Sequence, residues 1–255
     1  MEANSSAPGG VVVLGATGSL GSELARRLRA EGRPVLLAGR DAERLAALAH
    51  ELDAPAVPLA ATDSASVDGA IAAAVEAFGS VSGVAHCVGS LMLRPAHTTT
   101  DDQWHETIEI NLFSAFAAVR AAVQAMRSRG GSIALVSSAA ASIGLANHEA
   151  IAAAKAGVEG LVRAAAASYA SRGVRVNAVA PGLVKSHLSA SLWQNEAAAA
   201  GSRQMHALAR RGEPADVAAA LAWLLSSESS WVTGQVLGVD GGLATVLPRP
   251  TTRPA

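Results

Sequence analysis

The chain is expected to fold as a single α/β domain, a doubly wound parallel sheet with helices on both faces. Three observations carry that expectation. Short runs such as Val11-Val12-Val13-Leu14 and Ile133-Ala134-Leu135-Val136 are apolar without alternation, so each reads as a strand covered on both faces. Between such runs stand amphipathic or alanine-rich stretches long enough to be crossover helices, the connection that parallel strands need. At 255 residues, half of them hydrophobic, the chain supports one sizeable core, and no linker divides it.

Taken in order, strands are expected at 11–14, 34–38, 56–59, 84–88, 133–136, 174–179 and 235–239. Helices are expected at 19–30, 42–51, 64–78, 101–128, 148–171 and 214–226. The domain then spans 11–246, between loose tails at 1–10 and 247–255, the second rich in proline.

Composition excludes several function classes. The net charge is −1 with the charges scattered, so no nucleic-acid surface is expected. The single Cys87 rules out an internal disulfide and, with no Cys/His cluster, no metal site is expected; a reducing cytoplasm fits. The first ten residues carry no basic region and no apolar core, and no later apolar run reads as long enough to cross a bilayer, so neither secretion nor membrane insertion is expected.

Two stretches carry chemistry. The first strand runs into Gly15-Ala16-Thr17-Gly18-Ser19-Leu20-Gly21 and then a helix. Glycines spaced G-x-x-G-x-x-G let the backbone turn sharply and approach a pyrophosphate held at the helix N-terminus. At the end of the second strand, where an acid would bind the ribose 2′-hydroxyl of NAD, the chain has Gly39 and then Arg40, a residue suited to the 2′-phosphate of NADP. The other stretch runs from Ser137 to Lys155. It places Ser137 and Ser138 at the carboxyl end of a buried strand, then opens a helix in which His148, Ile151 and Lys155 fall near one face. For these residues taken alone, a strand-capping Ser138 and a solvated Lys155 are the plainer alternative.

With these landmarks in place, the chain from about Val11 to Val246 resembles the short-chain dehydrogenase/reductase family, in particular its branch of 3-oxoacyl-carrier-protein reductases. Asn111 in I-N-L-F-S matches the family's helix asparagine, Ser138 its active-site serine and Lys155 in A-K-A-G-V its active-site lysine. His86-Cys87-Val88-Gly89 stands where the family has N-N-A-G. V-R-V-N-A-V-A-P-G matches at Asn177, Pro181 and Gly182, and G-E-P-A-D-V and V-T-G-Q-V-L-G-V-D-G-G match the C-terminal signature. The resemblance implies a Rossmann-like domain that binds NADP(H) in preference to NAD(H) through Gly15, Thr17, Ser19, Leu20, Gly21, Arg40, Gly89, Lys155, Pro181 and Gly182. It implies that Ser138 orients a substrate oxygen, Lys155 holds the nicotinamide ribose and Asn111 orders a water relay. A substrate lid at 186–211 is implied, with Leu188, Leu192, Trp193, Met205 and Leu208 as an apolar face, and a small substrate, ketone or enone, of acyl-thioester or polyketide-like kind. A homotetramer or homodimer is implied too, with helices 101–128 and 148–171 packed across a two-fold axis and Ala164 to Ala167 allowing close approach.

The departures bear on the chemistry. The family's tyrosine stands four residues before the lysine, and here that position is Ile151, which neither donates nor accepts a proton. Tyr169 is the chain's only tyrosine, and it lies roughly 21 Å along the helix from Lys155. Enoyl-carrier reductases, a divergent branch, place their tyrosine seven residues before the lysine, where this chain has His148, an imidazole suited to proton transfer near neutrality. The adenine-side motif and the acid usual near Ala60-Ala61 are also altered. Three functions follow as expectations: an NADP-dependent oxidoreductase, a non-redox cyclase or isomerase in the same cleft, or a catalytically silent binding or partner subunit.

Overall fold

The computed structural model describes residues 9–193 and 196–247. Seven strands form one parallel sheet: β1 (Gly10–Leu14), β2 (Val35–Gly39), β3 (Ala56–Pro58), β4 (Val81–His86), β5 (Gly131–Val136), β6 (Val174–Pro181) and β7 (Val236–Val239). Their order is β3-β2-β1-β4-β5-β6-β7. The chain steps outward from β1 to β3, returns, and steps the other way from β4 to β7. Strand order therefore reverses between β1 and β4, and open α/β sheets bind ligands in the crevice outside such a reversal.

Helices α1 (Ser19–Ala30), α2 (Ala42–Leu52) and α9 (Pro214–Leu224) cover one face; α3 (Ser64–Phe78), α5 (Ser114–Met126) and α6 (Glu149–Tyr169) cover the other. The alternation of β1 divides its side chains between them: Val12 and Leu14 join the α3, α5 and α6 core, while Val11 and Val13 join the α1, α2 and α9 core. Leu24, Ala25 and Leu28 form one fully buried stripe of α1, and each leucine contributes about 2 kcal/mol through burial.

Several boundaries differ from expectation. Gly10 belongs to β1, paired with Val81, and a Cβ there would strike the Phe78 ring. The strand expected at 84–88 is Val81–His86, and the last ladder bond, from Cys87 N to Leu14 O, releases Val88 and Gly89 into a loop. The expected helix 101–128 is broken: α4 (Asp101–Ile108) passes through a π-helical turn, Glu109–Phe113, into α5. By length and composition Asp101–Met126 is apolar enough to cross a membrane, contrary to the sequence reading, yet 50% of its apolar window is buried in the protein. That burial comes from its alanines, Ala115, Ala117, Ala118, Ala121 and Ala122, packed among α3, α6 and β4. Ala164 to Ala167 do not share one face, because helical rotation turns Ala165 and Ala166 into the core and leaves Ala164 and Ala167 exposed.

The expected lid contains α7 (Ala190–Trp193) and α8 (Glu196–Met205). The expected tails lie mostly outside the described residues, which begin at residue 9 and end at 247.

Candidate active site

The glycine loop joins β1 to α1 at the strand reversal. Gly15 has φ +84°, and a Cβ there would meet the Cys87 and Val88 backbone at 2.9–3.0 Å. At Gly21 a Cβ would stand 2.3 Å from Gly15 O and 2.9 Å from Ala16 Cα, so only glycine lets α1 start this close beneath the loop. Gly18 is the N-cap of α1, and no acid stands in the first turn to compete with a bound anion. The Ser19 hydroxyl accepts from His187 N at 3.4 Å, so the segment that follows β6 reaches the loop. Leu20 packs against the α1 core. A bare-backbone cradle at a helix start, free of anions, fits the pyrophosphate of a dinucleotide.

Beside the loop, a Cβ on Gly39 would stand 2.8 Å from Thr17 Cγ2, so Thr17 lies over the end of β2. Asp41, the nearest acid, is engaged elsewhere: its carboxylate caps α2 through Arg44 N at 3.0 Å and pairs with the Arg44 guanidinium at 3.4 Å. Arg40 is exposed at the same corner.

Across the cleft, Ser138 lies two residues past β5. Its hydroxyl oxygen accepts from Ala140 N at 3.2 Å as the cap of a 3-10 turn, Ala139–Ala141, so its one hydrogen is left to donate elsewhere. Ser137 behind it is buried and donates to Glu159 Oε1 at 2.9 Å. Lys155 is no solvated lysine. It is 5% exposed and its ammonium donates to Val136 O at 2.8 Å. Burial lowers its pKa to about 8, against a smaller opposing effect from Cys87. The thiol of Cys87 is pushed up to about 12, by burial first, with Lys155 acting in the other direction.

Asn111 sits in the π-turn and is fully buried. Its amide donates to Ser90 Oγ at 2.9 Å and Thr107 O at 3.0 Å, and its oxygen accepts from Ser90 N at 3.1 Å. All its side-chain hydrogens are thereby engaged, so the side chain positions the loop after β4 rather than meeting a substrate. Thr107 O is the carbonyl four residues back, so the Asn111 side chain is tied into the helix at the π-turn. Gly89 lies between the two groups: a Cβ there would come within 3.0 Å of Asn111 Oδ1 and 3.5 Å of Lys155 Nζ.

Below them, His86 is buried, and its Nε2 lies 2.9 Å from Ser114 Oγ, which itself donates to Ile110 O at 2.5 Å. Ser114 has one hydrogen, so the imidazole must donate through Nε2, fixing that tautomer. Burial, then the charge of Lys155, lowers the His86 pKa to about 3, so the ring is neutral. It ties β4 to the π-turn. Sequence reasoning singled out neither His86 nor Ser90 as a positioning residue, because the contacts join segments more than twenty residues apart.

His148 stands at the very start of α6. It is the N-cap residue, with φ −108° and ψ 13°, and its Nδ1 lies 2.8 Å from Ala146 O. A carbonyl only accepts, so Nδ1 carries a hydrogen and donates it to Ala146 O. Ile151 is within the helix and 3% exposed. Tyr169 is at the far end of α6.

Pro181 ends β6. Gly182 N donates to Val239 O at 3.2 Å and Leu183 N to His206 Nε2 at 3.1 Å, which fixes the loop where the sequence places nicotinamide contacts. Asn177 spans β6 and the approach to β7, donating to Val232 O and accepting from Gln235 N. A cavity of about 500 Å³ opens past these strand ends, lined by Gly182, Leu183, His206, Leu208 and Val239; Ser138 and Lys155 do not line it. Leu188, Met205 and Leu208 of the lid are exposed, while Trp193 is partly buried under Lys185, whose Nζ lies 5.8 Å from the ring centroid. Among the described residues no cluster of metal ligands occurs.

The family described as Enoyl-(Acyl carrier protein) reductase matches residues 15–244. The chain is 35% identical over 241 residues to 3beta-hydroxysteroid dehydrogenase 1 of Eggerthella lenta, covering 91% of this chain and 92% of that protein. It is 35% identical over 242 residues to trans-4-hydroxycyclohexanecarboxylate dehydrogenase of Sinomonas cyclohexanicum, covering 91% of each. Among solved structures, a single-substitution variant of actinorhodin polyketide ketoreductase with NADPH superposes with a TM-score of 0.89 at 28% identity, over 93% of this chain and 98% of that one. Cradle, serine and buried lysine at the strand reversal agree with these likenesses, and the chain belongs to the short-chain dehydrogenase/reductase family of oxidoreductases.

Proposed function

We propose that the protein is an NADPH-dependent reductase of a ketone or activated alkene in a small, largely apolar substrate, working in the cytoplasm with a proton donor other than tyrosine. The observation that carries this reading is the burial of the Lys155 ammonium against Val136 O and beside Gly89. A scaffold with no ligand has no physical need to bury an ammonium there, at a cost in desolvation. When bound, the nicotinamide supplies the hydride. The Ser138 hydroxyl donates to the substrate oxygen and holds it, the Gly182–Val184 loop closes one side, and the lid face at Leu188, Met205 and Leu208 excludes water over an apolar substrate. Cyclic alcohols and ketones, acyl thioesters and polyketide-like chains are the substrate classes to try. Titration with NADPH and NADH by fluorescence, then a ketone and enone screen, tests the reading; a protein that binds neither nucleotide contradicts it.

Ile151 supports a second reading. A cleft with an apolar residue in place of the acid suits a non-redox enzyme or a silent partner subunit, and such a protein binds no nucleotide or binds it without turnover.

The NADP preference is testable at one residue. Arg40→Ala should weaken NADPH by roughly ten- to hundred-fold, the worth of a charge-assisted phosphate contact, while NADH binding is unchanged. Equal affinities for the two nucleotides before mutation would remove the basis for the preference.

A homotetramer, or a homodimer, is proposed as the assembly. Phe113 and Phe116 are 38% and 43% exposed with ring centroids 6.3 Å apart, an apolar patch on the π-turn and α5 suited to burial against a second copy. Sedimentation at micromolar concentration should find the larger species, and Phe116→Glu should shift it towards monomer.

A further inference from the structure

We propose that Lys155, besides holding the cofactor, is itself the proton donor of the reductive reaction. The inference rests on the oxidoreductase reading above and names the group that replaces the missing phenol.

Of the side chains around the cleft, Ile151 has no proton to give, and Asn111 has both amide hydrogens engaged by Ser90 and Thr107. His86 is neutral and gives its Nε2 hydrogen to Ser114. His148 is an exposed cap residue tied through Nδ1 to Ala146 O, whereas Lys155 is buried within the helix beside Gly89. Ser138 can orient an oxygen, but a serine hydroxyl does not ionise near neutrality. Lys155 remains. Its ammonium has three hydrogens, and Val136 O takes one.

The chain carries 20 lysines and arginines, and only Lys155 and Lys185 are lysines. Arginine serves nearly every basic position, and it stays protonated at any pH the protein meets. A lysine at the buried position is the one basic side chain there that can release a proton and regain it.

From β4, Lys155 faces Cys87 and His86, both neutral; the π-turn presents the uncharged Asn111; and β5 presents the Val136 carbonyl and Ser137, with Glu159 of its own helix bonded to that serine. Among the described residues no carboxylate pairs with it. Burial without a counter-ion brings its pKa to about 8, near the working pH, where a general acid is effective.

In the step itself, hydride arriving at the carbonyl carbon releases the C=O π pair onto oxygen, held by Ser138. An N–H bond of the Lys155 ammonium breaks, its electron pair stays on Nζ, and the O–H bond of the alcohol forms, directly or through one water. The amine then takes a proton from solvent, so the net reaction consumes one hydride and one proton. Reduction requires the charged form. Its rate therefore falls as pH rises through about 8, and oxidation of the alcohol shows the opposite limb.

The test begins without a substrate. With only two lysines, the protein labelled with lysine carrying 13C at the ε carbon gives two signals, assigned with Lys185→Arg at an exposed position. The Lys155 signal is expected to titrate near pH 8. The second arm follows NADPH-dependent reduction of 4-oxocyclohexanecarboxylate and decalone against pH. Turnover should fall along the same titration. Lys155→Arg should lower kcat by about 10²- to 10⁴-fold and remove that limb, with folding checked by circular dichroism. Lys155→Met serves if the arginine is not accommodated. A Lys155 signal that stays charged to about pH 10, the ordinary lysine range, or a limb unchanged in Lys155→Arg, overturns the proposal. Failure to bind NADPH would instead sink the oxidoreductase reading, and the lysine titration would still decide whether Lys155 is poised to give a proton.

Discussion

Gly21→Ala should lose nicotinamide nucleotide binding by more than about ten-fold and lower the melting temperature. The added methyl would stand 2.3 Å from Gly15 O and 2.9 Å from both Ala16 Cα and Gly15 C, all of them backbone. No side-chain rotation relieves such a contact, so α1 must move away from the loop. Overpacking of this kind costs about 1–3 kcal/mol, and α1 carries Leu24 and Leu28 of the core with it. Displacing the helix start also moves the amides and the dipole that meet the pyrophosphate. Gly18→Ala is the control for stability, since its Cβ would lie 3.4 Å from Gly15 O, a contact a small shift relieves. Thermal melts with NADPH titrations separate the two effects. A Gly21→Ala protein with native melting temperature and affinity would mean the loop is only a turn.

The parts of this fold legible in the sequence are those set by local pattern. The apolar run Val11 to Leu14 marks β1, and the helices 19–30 and 64–78 end where capping residues and glycines end them. The glycine spacing was legible for the same reason, because close backbone approach leaves no alternative to glycine at residue 21. The π-turn was not. It arises where Asn111, Thr107 and Ser90 exchange hydrogen bonds across a loop, and helical periodicity alone reads 101–128 as continuous. Nor was the burial of Lys155 legible: spacing put it on a helix face, but only the closure of β4 and β5 over that face made it a core residue. For His148, spacing placed it seven residues before Lys155, but its N-cap position and its bond to Ala146 O depend on where the helix starts and were not legible.

Ile151→Tyr should raise ketone reduction, and it distinguishes a cleft that lacks only an efficient acid from one made for other chemistry. Ile151 is one helical turn before Lys155 and 3% exposed. A phenol introduced there lies near an ammonium, whose charge favours the phenolate and so lowers the phenol pKa towards the working range. General acids commonly contribute about 10²- to 10⁴-fold, and a gain within that range is the expected result. The pH limb assigned to Lys155 should move as well, because the phenol becomes the donor and the ammonium returns to tuning it. The larger side chain costs about 1–3 kcal/mol where it overpacks, so a melting curve accompanies the kinetics. His148→Ala should change turnover by less than about three-fold, since the ring is engaged by Ala146 O at the cap. Were His148 the acid, that variant would lose activity by the factor that Ile151→Tyr is expected to gain. A folded Ile151→Tyr protein that binds NADPH normally and reduces no ketone faster than the native chain would argue that hydride transfer to a carbonyl is not what this cleft does.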